Sequence, residues 1–451
     1  MRSFLLSALA IVFVAGIAIT VALLVTPTQT VSAAGQTVRV GVAAPSLSLS
    51  GPGELELFGQ RLPTTIEFYG PVRPRLELTQ ITLSPQLAGL IQQGGDTSEW
   101  EGLQQSLVDG WVRYLVWQVA IVALIAVVLL GAIAGWRRLS MGRTLAFLAV
   151  GLMVAEAVNL GAAMSTAYTT PAKLRQVDSL QALVGVAPAP TLPAPDQHQP
   201  PERGRVVVIG DSTAAGLGNP PLPQGEVFDV ACERSVDSFA NALDIATDWQ
   251  VVNLACSGAT IRAGLLEPQR VGSLTVPAQL PRAVARGPSA IIINVGANDV
   301  NWSGILRICA AMQDCRNAAV DAYFEQQLAG FTRDYLALLT QLLSMPDPPA
   351  VVVNLYYNPL VGDIECLASL GVTDDKRRVL VERLDALNTV LADGAATASF
   401  TVAQPNFTGH GVCSDQPYVQ GLDARAPFHP TAAGALAIAL ADQQALLTAG
   451  A

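Results

Sequence analysis

The sequence predicts an α/β domain with a parallel sheet in its C-terminal half, preceded by a membrane region of about three transmembrane helices. Three observations predict it. Short, unbroken Val/Ile-rich runs at 206–209, 251–254, 290–295 and 350–355 alternate with helical stretches at 318–344, 375–396 and 431–448. Such runs fit strands buried on both faces, with helices as crossovers. Three apolar runs at 4–25, 114–135 and 144–165 have the length that crosses a bilayer. A proline-rich stretch separates the two halves.

Composition agrees with this division. Hydrophobic residues make up 51% of the 451 residues and charged residues only 14%, too apolar for an ordinary soluble chain. A net charge of −10 argues against non-specific nucleic-acid binding. All six cysteines, from Cys232 to Cys413, fall in the C-terminal half. An even number confined to one domain indicates disulfides and an oxidising compartment. The lack of a CxxC pair or ligand cluster argues against a structural zinc site.

Residues 1–25 read as a signal anchor or signal peptide. The length of the apolar run favours an uncleaved anchor, although V-S-A-A at 31–34 has the small residues a signal peptidase cuts at. Residues 26–113 read as a small β-rich extracytoplasmic segment: V-R-V-G-V, S-L-S-L-S and E-L-E-L-F alternate apolar with polar or small residues. Residues 114–166 hold the other two spans. The loop between them carries Arg137, Arg138 and Arg143, and the positive-inside rule puts it in the cytoplasm with Arg2. Everything after residue 166 is then extracytoplasmic, in agreement with the cysteines. Glu156 and Asn159 interrupt the last span and call for a packing partner. Residues 167–203 read as a proline-rich linker, extended and semi-rigid, which includes His198.

The last domain, 204–451, carries the chemistry. Sites in parallel sheets form beyond the C-terminal ends of the strands. After the first strand stands G-D-S with Ser212. After the second stands S-G-A with Gly258, and after the third G-A-N-D with Asn298. F-H-P with His429 precedes the last helix. A hydroxyl, an imidazole that activates it and fixed donors for an oxyanion are the parts acyl transfer needs.

The order V-I-G-D-S, S-G-A, G-A-N-D and F-H-P resembles the SGNH (GDSL-type) hydrolases over about residues 204–450. N-L-A-C-S-G-A-T and C-E-R-S-V-D-S-F-A resemble the secreted actinobacterial lipase/esterase branch. The resemblance implies a flavodoxin-like three-layer α/β/α fold with no metal and no organic cofactor, and a serine esterase or lipase acting on a lipid or an acylated envelope glycan. Acyl transfer, or binding without catalysis, are the alternatives. It implies Ser212 as nucleophile, His429 as general base and then acid, and an oxyanion hole from the Ser212 and Gly258 backbone and the Asn298 side chain. It also implies the pairs Cys232–Cys256, Cys309–Cys315 and Cys366–Cys413.

One departure stands out. Where the family usually has Asp three residues before the histidine, this chain has Ala426. The imidazole can be oriented instead by the Ala426 main-chain carbonyl or by Asp423. His410 is expected to be structural, and Asp211 and Asp299 to hold their loops. Arg234 is expected to pair with one of those two carboxylates or with an anionic head group.

Overall fold

The computed structural model describes residues 2–33, 36–43, 48, 50–69, 73–80, 97–174, 183–185, 204–345 and 347–449. They fall into two compact units, one built from the N-terminal helices and strands and one holding the C-terminal α/β domain.

The first unit contains three long helices, α1 (Arg2–Val25), α2 (Thr97–Trp136) and α3 (Met141–Leu174). Small residues line their contacts: Ala15, Ala18 and Ala22 of α1, Ala126 and Ala134 of α2, and Ala155 of α3 are buried together with Val122 and Leu130. Small side chains let apolar helices approach closely where burial from water supplies no drive. The outward faces are apolar as well, with Phe13 and Met153 each 69% exposed. By length and composition 6–25, 106–136 and 141–164 are compatible with membrane spans. The polar residues expected to need a partner have one. Gln118 donates to Asn159 at 2.8 Å, and Asn159 donates to Glu156 at 3.3 Å.

Strands β1 (Gln29–Ala33), β2 (Gln36–Val42), β3 (Ser50–Leu57), β4 (Gln60–Tyr69) and β5 (Pro74–Gln80) form a five-stranded sheet in the order β1-β2-β5-β3-β4. It coincides with the alternating segment. Helix α2 packs on β1 and β2. Gly110 permits this, because a Cβ there would come within 2.5 Å of the Val31 side chain. Helix α3 continues to Leu174, into the stretch read as linker from residue 167. Once a helix is running, each further residue is added at little cost. The proline-rich part of that linker, with His198, lies outside the described residues.

The second unit is wound around five parallel strands, β6 (Arg205–Gly210), β7 (Gln250–Asn253), β10 (Ala290–Asn294), β11 (Ala350–Asn354) and β12 (Thr401–Ala403), in the order β12-β11-β10-β6-β7. A small hairpin, β8 (Gln269–Val271) and β9 (Leu274–Val276), stands apart. Every residue of β10 is buried, as a strand covered on both faces requires. The helices are α4 (Ser212–Ala215), α5 (Val227–Ala231), α6 (Phe239–Ala246), α7 (Gln279–Val284), α8 (Trp302–Ala311), α9 (Ala318–Leu343), α10 (Asp374–Thr397) and α11 (Ala432–Ala449). Helix α11 packs on β11, β12 and α6, and α10 on β11, β12 and α9. Helix α11 is also apolar and long enough to span, yet it buries Ile438, Ala439 and Leu446 within this unit.

The order places β6 between β7 and β10, so the chain leaves β6 first to one side and then to the other. Doubly wound sheets open a crevice at that reversal, beyond the carboxyl ends of the strands. The three-residue edge strand β12 carried no sequence signal of its own.

Candidate active site

Strand β6 ends at Gly210, whose φ is +159° and whose missing side chain is essential: a Cβ would lie 2.2 Å from the Asn294 carbonyl. Asp211 follows as the N-cap of the four-residue helix α4, its Oδ1 accepting the Thr213 N–H at 2.9 Å. Ser212 therefore opens α4 directly above the end of the strand. Asp211 is fully buried, which pushes its carboxyl up to about 6.

His429 reaches this serine from the loop before α11. Its Nε2 lies 2.8 Å from Ser212 Oγ, within hydrogen-bond reach. Burial lowers the imidazole pKa, while the Pro427 and Ala426 carbonyls and the Glu233 carboxylate oppose that shift. On the other side of the ring, Nδ1 meets the carbonyl of Pro427 at 3.3 Å. The Ala426 carbonyl accepts the His429 backbone N–H at 3.2 Å. Asp423 is exposed, and no contact joins it to His429. The intervening Phe428 has φ +67°, and this left-handed residue turns the preceding carbonyl back toward the ring.

Two further loops carry the donors. The loop after β7 is tied to the end of β6 by the Cys256 N–H on the Gly210 carbonyl at 3.0 Å. Gly258 in it has φ +78°, a backbone state that side chains rarely adopt. Among the described residues, the N–H groups of Ser212 and Gly258 have no intramolecular acceptor. Asn298, after β10, donates from Nδ2 to the Ala259 carbonyl at 2.9 Å, which holds its amide beside the Gly258 turn. Asp299 accepts the Ile261 N–H at 3.0 Å and bridges the same two loops. Burial pushes its carboxyl up to about 7.

The other expected residues fall into place around this centre. Sulfur bonds join Cys232 to Cys256, Cys309 to Cys315 and Cys366 to Cys413. Arg234 pairs with neither Asp211 nor Asp299. Its guanidinium meets Asp229 at 2.6 Å and the Ala255 and Leu254 carbonyls at 2.7 and 3.1 Å, bracing the strand-end loop. A buried fork of donors is better satisfied by carbonyls already turned inward than by a distant carboxylate. His410 stacks on Tyr418 with ring centroids 3.8 Å apart, and its Nδ1 lies 2.8 Å from the Gln416 carbonyl.

Sequence reasoning missed three residues at the site. Gln279 braces Gly210, while Tyr356 bonds Asp211 and Tyr357 bonds Phe428. The tyrosines carried a signal, since L-Y-Y directly follows the β11 run and so stands at a strand end. Gln279 carried none.

The sequence model of the GDSL-like Lipase/Acylhydrolase family matches residues 208–437. Lipase 1 of Streptomyces coelicolor is 27% identical over 248 residues, covering 52% of this chain and 84% of that protein. Among solved structures, an extracellular lipase from Streptomyces rimosus is 22% identical with a TM-score of 0.40, covering 54% of this chain and 99% of that one. Phospholipase A1 from Streptomyces albidoflavus is 20% identical, with a TM-score of 0.40 over 54% of this chain and 99% of that one. The family match spans half of the chain and includes all four loops described above, so the chain belongs to the GDSL-like lipase/acylhydrolases and is a carboxylic ester hydrolase.

Proposed function

We propose that the chain is a membrane-anchored, extracytoplasmic serine esterase or lipase acting on a lipid or an acylated envelope glycan. The observation that carries the mechanism is the 2.8 Å contact between His429 Nε2 and Ser212 Oγ. In this reading His429 takes the Ser212 proton as Oγ attacks the ester carbonyl. The tetrahedral oxyanion is received by the Ser212 and Gly258 N–H groups and the Asn298 amide. His429 then protonates the departing alcohol, and water resolves the acyl-enzyme by the same steps in reverse order. The Pro427 carbonyl fixes the imidazole tautomer that presents Nε2 as a base.

Three features support the cellular part. The apolar helices have spanning length, the Arg137–Arg143 loop satisfies the positive-inside rule, and the disulfides need an oxidising compartment. The segments 1–25 and 114–166 would anchor the chain, and 167–203, from the end of α3 onward, would tether the hydrolase domain.

The test is turnover of short and medium p-nitrophenyl esters by the full chain in detergent, beside Ser212→Ala and His429→Ala. Loss of turnover in both establishes the serine mechanism. Full activity in Ser212→Ala would exclude it. Sidedness is read separately, by labelling cysteines introduced near Arg137 and in 186–203 with an impermeant maleimide. The reading requires only the second to react in intact cells.

A further inference from the structure

The two consecutive tyrosines that follow β11 fasten the loops that carry Ser212, Asn298 and His429. The Tyr356 hydroxyl donates to Asp211 Oδ2 at 2.5 Å and accepts the Ala297 N–H at 3.0 Å. One phenol thus joins the residue before Ser212 to the residue before Asn298. The Tyr357 hydroxyl donates to the Phe428 carbonyl at 2.9 Å. The second phenol thus ties the residue before His429 to the end of β11.

A group that positions others must itself be fixed, and both are. The Asn388 side chain accepts the Tyr356 N–H and donates to the Tyr356 carbonyl, each at 2.8 Å, so α10 clamps this residue. The Tyr357 ring stacks on Phe407 with centroids 4.3 Å apart. Both side chains are buried. Leu355 stays in register with the sheet through its N–H on the Ala403 carbonyl at 2.9 Å.

We propose that Tyr356 and Tyr357 are positioning residues of the reaction: Tyr356 sets the nucleophile against the oxyanion loop, and Tyr357 holds the loop that carries the base on the end of the sheet. This rests on the Ser212–His429 reading. Neither phenol touches the reacting atoms, and the effect of each passes through hydrogen bonds to the loops that do. Displacing a catalytic group by about 1 Å costs on the order of 100-fold in rate.

The experiment compares Tyr356→Phe, Tyr357→Phe and Ser212→Ala with the wild-type full chain in detergent. Active sites are titrated with a fluorophosphonate, so that only competent protein is counted, and kcat, KM and the pH profile are measured on a p-nitrophenyl ester. Each tyrosine variant is expected to lose about 10- to 100-fold in kcat with KM unchanged. Tyr357→Phe is expected to move the acid limb of the pH profile, because His429 sits in the loop it holds. Tyr356→Phe is expected to lower the plateau and leave that limb in place. Unchanged kcat per titrated site, or a loss confined to melting temperature, overturns the proposal. Tyr357→Phe decides it alone should Tyr356→Phe fail to fold, because its hydroxyl bonds a carbonyl and not the buried carboxyl. Activity in Ser212→Ala overturns the serine reading itself, a different result from wild-type kcat in the tyrosine variants.

Discussion

Gln279 exchanges two hydrogen bonds with the backbone of Gly210: Oε1 accepts its N–H at 2.7 Å and Nε2 donates to its carbonyl at 3.0 Å. The side chain is fully buried and acts as a substitute strand neighbour where β6 ends and the nucleophile turn begins. Gln279→Leu keeps the volume, leaves the buried Gly210 N–H without its acceptor and leaves the Gly210 carbonyl with the Cys256 N–H alone. It is expected to cost about 1–3 kcal/mol in chemical denaturation and to lower kcat together with stability.

The pH profile follows from the burial of His429. A base must be neutral to accept the Ser212 proton, and burial lowers its pKa below the ordinary histidine value. The acid limb of kcat/KM is therefore expected below pH 6.5, so the enzyme keeps its activity into mildly acidic solution. A limb centred above pH 6.5 contradicts this.

Asp299 governs stability in the opposite sense. Its folded pKa of about 7 lies above the ordinary carboxyl value of 3.8, so the folded state holds the proton more tightly. Its contribution is complete below about pH 4 and is lost as pH rises through about 7. Asp299→Asn keeps an acceptor for the Ile261 N–H and carries no charge at any pH. The variant is expected to gain melting temperature over wild type at pH 8 relative to pH 5. An equal difference at the two values defeats the prediction.

The bond between Cys232 and Cys256 closes a separation of 24 residues next to the Gly258 turn, and the Ser257 N–H rests on the Cys232 carbonyl at 3.2 Å. Replacing both cysteines by Ala is expected to cost about 3 kcal/mol through the freed unfolded chain. Because the freed loop carries Gly258, a donor in the proposed mechanism, kcat is expected to fall at temperatures where the protein is still folded.

Much of the domain was legible because strand ends are legible. Val/Ile runs located β6, β7, β10 and β11, and the residues after β6, β7 and β10 form the loops that hold Ser212, Gly258 and Asn298. Ser212 and His429, separated by 217 positions, meet because one ends a central strand and the other precedes the helix packed on β11 and β12. What was not legible is what the backbone does. A sequence names side chains at 423 and 426, but which carbonyl faces Nδ1 depends on the left-handed turn at Phe428. Gln279 was hidden for a related reason. Its partner is main chain, and nothing in A-Q-L-P marks a glutamine that completes a sheet. The partners of Arg234 were not legible either, because two of its three acceptors are main-chain carbonyls and the third, Asp229, is a neighbour only in the folded turn.

The Pro427 carbonyl that faces His429 Nδ1 has a genetic consequence under the proposed mechanism. A triad whose third member is a side chain can be broken by one codon; a carbonyl in that place belongs to the path of the chain, and every residue type supplies it. Alanine substitution at Asp423, Arg425 or Pro427 should therefore cause no loss as deep as that expected at Ser212 or His429. The vulnerable changes are those that alter the path itself, an insertion or deletion between Ala426 and His429 or a β-branched residue at Phe428, where the left-handed turn must be kept.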